Sequence, residues 1–195
     1  EAMARDTLTS RILRWLLLAA LAGVALQLFF IGRIALMAVV DPSSTTFERS
    51  EAWRIVTEKG ALRWRQQWVP YAQISDHLKR AVIASEDGDF INHDGVEWEA
   101  IEKAWQKNTQ AEELAAKRAA RTPPGKPAPA AKAPKIVGGS TITQQLAKNL
   151  LLSGERTLLR KGQEFVLTMA LELLLSKQRI LEIYLNHVEW GEGVF

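Results

Sequence analysis

The sequence predicts an all-α protein, one membrane-spanning helix followed by a helical domain. Three observations carry that reading: an 18-residue apolar run near the amino terminus, apolar stripes at spacings of three and four through later segments, and no persuasive strand-like run. Composition sets the outer bounds. With 195 residues, 47% hydrophobic and 24% charged, the chain is too apolar to be wholly disordered and too polar for several membrane spans. The absence of cysteine excludes disulfides, thiolate zinc sites and thiol nucleophiles, and leaves the compartment open.

The first element is the run Trp15–Gly32, whose only strongly polar member is Gln27; apolar character resumes from Ile34 to Val40. As a helix this run spans about 27 Å, close to the hydrocarbon thickness of a bilayer. Its length favours an uncleaved signal anchor over a cleaved signal peptide. Arg5, Arg11 and Arg14 precede it, which places residues 1–14 in the cytoplasm, the anchor at 15–40 and the rest of the chain outside. Residues 41–67 form a mixed, aromatic-rich membrane-proximal segment, and Pro70 argues against a long helix across that point.

Ser75 is placed as the N-cap of a helix through about Glu86, with Leu78, Val82 and Ile83 on its apolar side. Trp98, Ile101 and Trp105 mark a second helix ending near Asn108. Residues 110–137, rich in Ala, Pro and Lys, read as a flexible or polyproline-like insert. Thr141 and Gln144 then fit a capping box ahead of the stripe Ile142, Leu146 and Leu150. A long helix from Thr157 to Leu175 and a last one from Ser176 or Lys177 to Asn186 complete the order.

Four clusters carry candidate chemistry. In Glu86-Asp87-Gly88-Asp89-Phe90-Ile91-Asn92-His93, counting fours from Leu78 through Val82 puts Glu86 at the end of an apolar face. Partial burial there would raise its pKa and suit it to general acid or base work. The alternative is that Asp87, Asp89 and His93 only bond turn amides, and Asp87-Gly88-Asp89 also has the spacing of a metal-diphosphate element. In the second cluster, Gly138 to Asn149, a glycine turn opens a helix and presents amides and a positive dipole end to an anion. Gln144, Gln145 and Lys148 can share one face there, while capping alone explains Ser140 and Thr141. The third, Arg160-Lys161-Gly162-Gln163-Glu164, reads either as a surface ion pair or as a cationic clamp beside a carboxylate. The fourth, Lys177 to Asn186, is amphipathic, packing explains most of it, and Asn186 is expected to end the helix.

Taken in order, the four stretches resemble the signature motifs of the family 51 glycosyltransferases, the peptidoglycan glycosyltransferases. The pattern Glu-Asp-x-x-Phe-x-x-His-x-Gly is met by Glu86, Asp87, Phe90, His93 and Gly95. Gly-x-Ser-Thr-x-x-Gln-Gln-x-x-Lys-Asn, Arg-Lys-x-x-Glu and Lys-x-x-Ile-Leu-x-x-Tyr-Leu-Asn are met by the other three stretches at every fixed position. A single anchor with no penicillin-binding module is similar to the family's monofunctional members.

The resemblance covers 68–195 and implies a lysozyme-like glycosyltransferase domain that polymerises lipid II with inversion, on the outer face of the cytoplasmic membrane. Under it, Glu86 is the base for the acceptor hydroxyl and Glu164 the second carboxylate. Lys148, Arg160 and Lys161 neutralise the departing undecaprenyl diphosphate, and Ser140, Thr141, Gln144 and Gln145 line the phosphate side. It implies no cofactor beyond an optional divalent cation, magnesium or manganese, for which Asp87 is a weak ligand. The implied partners are lipid II, the growing lipid-linked glycan, the membrane, and proteins of cell division or wall synthesis.

Two departures stand out. The 110–137 insert is longer than the expected connection, and the fifth family motif is expected beyond Phe195, so the catalytic end of the domain is read as missing and the 195-residue chain is not assumed active. The rival readings are a lytic, lysozyme-like hydrolase, which needs no diphosphate clamp, and an inactive membrane-anchored scaffold. The net charge of +3 divides into +2 in residues 1–40, +4 in the insert and −3 elsewhere, so overall basicity argues for no nucleic-acid partner.

Overall fold

A computed structural model describes residues 2–120, 140–152 and 157–195, and these form seven α-helices. They are α1 (Ala2–Leu36), α2 (Thr46–Lys59), α3 (Asp76–Glu86), α4 (Trp98–Ala120), α5 (Ile142–Leu151), α6 (Leu158–Leu174) and α7 (Lys177–His187). Among the described residues there is no strand, only the isolated bridges of Arg65 and Gly191 with Val194. The all-α expectation holds.

The leader and the anchor are one continuous helix. Its segment Leu8–Leu36 has a mean hydropathy of 2.2 and is long and apolar enough to cross a membrane. The helix ends at Leu36 instead of running on to residue 40. Ile34 and Met37 leave the lipid-like surface and enter the core of the domain, where they are fully or nearly buried. The other members of the second apolar stretch, Leu36, Val39 and Val40 among them, stay exposed.

α2 was not foreseen, although its signal is in the chain. Thr45 and Glu48 make a reciprocal capping box, and Gly60 closes the helix in the left-handed region at φ 69°. Ser75 occupies the N-cap position of α3 as expected, but its side chain makes no capping bond. α4 runs past the expected end at Asn108 and carries the first eleven residues of the predicted insert, 110–120, as helix. Alanine, glutamate and lysine in that stretch are strong helix formers, and the prolines that break the pattern begin only at Pro123. The rest of the insert lies outside the described residues.

The core is built around α5, which packs on α2, α6 and α7. Ile142, Leu146, Ala147 and Leu150 are all but inaccessible, and meet Leu167 and Leu171 of α6 and Ile180, Leu181 and Ile183 of α7. Each large aliphatic side chain sealed there contributes about 2 kcal/mol. Thr141, Thr157 and Ser176 cap α5, α6 and α7 through their own side chains, so the three expected helix starts are all found.

Before α3, the extended segment around Val69 is pinned by α7. Asn186 accepts from the Val69 amide at 2.7 Å and donates to the Val69 carbonyl at 3.0 Å, doing for one residue what a neighbouring strand would do. Glu182 accepts from the Tyr71 amide at 2.7 Å. Asn186 therefore does not end α7, which continues to His187; it orients the segment that leads into α3 and to Glu86.

Candidate active site

The end of α3 places two adjacent carboxylates in opposite surroundings. Glu86 is exposed and Asp87 is buried, 4% accessible. The expected partial burial of Glu86 is not found, and the desolvation argument built on it falls. The row Leu78-Val82-Glu86 does not run along the core: Val82 is buried, but Leu78 lines an open groove with Val69, Leu185 and Trp190. The helix stops at Glu86, and the following residue turns inward.

Asp87 is spent on structure. Its Oδ2 accepts from the Ile142 amide at 2.9 Å and its Oδ1 lies 2.7 Å from His93 Nε2. Because His93 Nδ1 accepts from the Gly95 amide at 3.0 Å, the ring proton sits on Nε2 and donates to Asp87. The loop after α3 is thereby tied to the start of α5. Gly95 has φ 82°, and a Cβ there would meet Glu172 Cγ and Thr168 Cγ2 at 2.8 Å, so only glycine both adopts the turn and lets α6 approach. The Thr141 hydroxyl donates to the Gly95 carbonyl at 2.6 Å and closes the same corner.

Asp87, His93 and Glu97 bring one ligand atom each within 4.8 Å of one another. They do not fit a divalent cation as they stand. Both Asp87 oxygens and both His93 nitrogens already serve the fold, and a metal would have to displace those bonds.

Among the described residues Glu86 keeps a single hydrogen bond, from Gln145 Nε2 to its Oε2 at 2.9 Å. Gln145 is oriented in turn by Tyr184, whose hydroxyl donates to Gln145 Oε1 at 3.0 Å. With the carbonyl end of the amide occupied by Tyr184, its NH2 end faces Glu86. Burial, with the nearby Glu86 charge adding to it, pushes the Tyr184 phenol up to about 12, so it remains a donor throughout the physiological range. Tyr184 was not among the sequence candidates, because its helix reads as packing and only the fold brings it to Gln145.

The other candidates divide by what their atoms already do. Thr141 and Gln144 cap each other: Thr141 Oγ1 accepts from the Gln144 amide, and Gln144 Oε1 accepts from the Thr141 amide, both at 3.1 Å. Both are buried within the fold. Ser140 and Lys148 are exposed, Lys148 about one turn along α5 from Gln145.

On α6, Glu164 is 3% accessible and is held by Arg160 Nη1 at 3.0 Å and Lys161 Nζ at 2.5 Å. This is not a solvent-washed pair. Arg160 Nε is buried and has no hydrogen-bond partner among the described residues. An unspent guanidinium donor beside a cation-bound carboxylate is a place for an anionic oxygen.

Glu86 is thus an open carboxylate aimed by an amide, and Glu164 a sealed carboxylate among cations with a donor to spare. Comparison with known proteins shows the family. A family model described as Transglycosylase matches residues 54–117 and 129–195, with its interruption inside the predicted insert. A biosynthetic peptidoglycan transglycosylase of Cupriavidus metallidurans is 50% identical over 193 residues, covering 94% of this chain and 72% of that protein. Proteins of the same description from Burkholderia thailandensis and Cupriavidus pinatubonensis are 48% and 51% identical, covering 93% and 94% of this chain and 64% and 66% of their own lengths. The chain belongs to the transglycosylase family.

Proposed function

We propose that the protein is a peptidoglycan glycosyltransferase that polymerises lipid II into β-1,4 glycan strands. The observation that carries this is Glu86: an exposed carboxylate at the end of a helix, in a fixed orientation set by Gln145 and Tyr184. The acceptor GlcNAc 4-hydroxyl gives its proton to Glu86 as its oxygen attacks the anomeric carbon of the donor from the face opposite the diphosphate. The new oxygen–carbon bond forms as the bond to the diphosphate breaks, and the electron pair leaves on the diphosphate. Lys148, Arg160 and Lys161 meet that growing negative charge, while Glu164 keeps the two α6 cations in place. Ser140 and the start of α5 face the phosphate side; Thr141 and Gln144 support them through the cap.

The long apolar helix α1 is the anchor of a single-pass membrane protein, and the arginines ahead of its apolar run favour an amino terminus in the cytoplasm and a catalytic domain in the periplasm. Its partners are lipid II, the growing lipid-linked chain and the membrane, with proteins of cell division or wall synthesis as candidates for assembly; no nucleic acid is involved.

The decisive assay gives the full-length protein lipid II in vesicles, where long glycan strands are expected. Release of small muropeptides from purified peptidoglycan, with no polymer from lipid II, would replace this reading with the lytic one. No product in either assay from a folded protein would favour a scaffold.

A further inference from the structure

The anchor does more than tether. Gln27, Phe30 and Ile34 in its last three turns, with Met37 one residue beyond its end, are spaced three, four and three apart and form the face that turns away from the surroundings. Leu26, Leu28, Phe29 and Leu36 beside them are all about half or more exposed. α1 packs on α6, and Gln27 is the polar member of that stripe and meets α6 directly. Gln27 Nε2 donates to Gln163 Oε1 at 2.7 Å, and Gln163 Nε2 donates back to Gln27 Oε1 at 2.9 Å. Each amide satisfies the other.

Position gives the pair its meaning. Gln27 lies five residues inside the outer end of the apolar run, about 7 Å below it along the helix. An amide alone at that depth is costly, and the facing amide of Gln163 removes that cost only while α1 and α6 keep this register. Gln163 belongs to the turn of α6 that carries Arg160, Lys161 and Glu164. Leu158 and Leu159, at the start of the same helix, are 92% and 86% exposed, as side chains facing lipid would be. Sliding α1 along α6 by one turn would shift these groups about 5 Å along the anchor's axis.

We propose that the Gln27–Gln163 pair is a positioning device. It locks the anchor to α6 in one register and so holds Arg160, Lys161 and Glu164 at the depth where a membrane-bound diphosphate presents itself. Gln27 is a positioning residue, and this role rests on the function proposed above.

The test has two arms that fail separately. The chain has no cysteine, so Gln27→Cys with Gln163→Cys supplies a clean pair for a short thiol-to-thiol crosslinker in membranes. Efficient crosslinking is expected there, and little for Leu28→Cys with Gln163→Cys, since Leu28 faces away; equal yields from the two pairs would overturn the proposal whatever the enzyme does. In the second arm Gln27→Leu is assayed on undecaprenyl lipid II in vesicles and on a short-chain analogue in detergent. The expected result is a fall of about tenfold in kcat/KM in vesicles, the order that one interhelical amide pair commands, with detergent activity within about twofold of wild type. Equal loss on both substrates, or none on either, overturns the positioning role. A wild-type protein inactive on both would instead strike at the proposed function, leaving the crosslinking result to stand.

Discussion

Glu48 and Glu86 are both glutamates with a partner far along the chain, His187 for the first and Gln145 for the second, and they could hardly be treated more differently. Glu48 is 1% accessible and fully engaged. Its Oε2 accepts from the Thr45 amide at 2.7 Å, and its Oε1 faces His187 Nδ1 at 2.6 Å and Gln66 Nε2 at 3.2 Å. His187, as deeply buried, directs Nε2 to the Pro42 carbonyl at 3.1 Å. Glu86 is open and, among the described residues, has one bond, from Gln145. The first carboxylate joins the membrane-proximal segment to α7. The second has been left with lone pairs to spare at a place a substrate can reach. Glu48 is committed on both oxygens to holding the fold, while Glu86 keeps the freedom that the proposed proton transfer requires.

Breaking that contrast at Glu86 has the largest expected effect. Glu86→Gln removes the proton acceptor and retains the shape, so polymerisation should fall about a thousandfold, some 4 kcal/mol of barrier, with the melting temperature unchanged. Polymer at wild-type rate would sink the assignment. At Glu48 the effect should be the reverse in kind. Glu48→Ala strands a buried histidine and is expected to cost about 3 kcal/mol in thermal unfolding, while the remaining folded molecules turn over normally. A variant as stable as wild type would show that the pair is not the structural joint described here.

The smallest effect sharpens the comparison from the Glu86 side. Tyr184 is raised from 10.0 to about 12 in the folded protein, so the folded state keeps a proton that the unfolded chain gives up. Its stabilising contribution is complete below pH 10 and is lost as pH rises through about 12. Tyr184→Phe cannot titrate, and should remove up to about 2 kcal/mol of the alkaline decline in stability across that window. An identical decline in the variant would mean that another group is responsible.

How much of this the sequence discloses depends on whether the signal is local. α5, α6 and α7 were legible because their caps and apolar stripes lie within a few residues of each other. α2 carries the same local signal in Thr45 and Glu48, but it is set among aromatic residues that point equally to irregular packing. α4 outruns its expected end because its alanines favour helix right up to the prolines that begin at Pro123. At Glu86 the periodicity was counted correctly, but burial is set by what packs against the helix, and it fell one residue later, on Asp87. Tyr184, Asn186 and Gln163 have no local signal for what they do. Each acts on a residue brought close only by the fold, through an amide or hydroxyl whose orientation no spacing rule contains.

The clamp of Asn186 on Val69 also bears on the order in which the molecule is made. Val69 and Asn186 are 117 positions apart, Glu48 and His187 are 139 apart, and the Arg65 amide donates to the Gly193 carbonyl, well over a hundred residues later. During synthesis, α1 reaches the membrane long before any of these carboxy-terminal partners leaves the ribosome. The segment between the anchor and α3 must therefore wait, its polar groups served by water, until α7 arrives. Loops that long are entropically costly to close and late to form. The segment that follows α1 is, on this account, secured only when α7 appears, and the interval before that is when a protease or a chaperone has access to it.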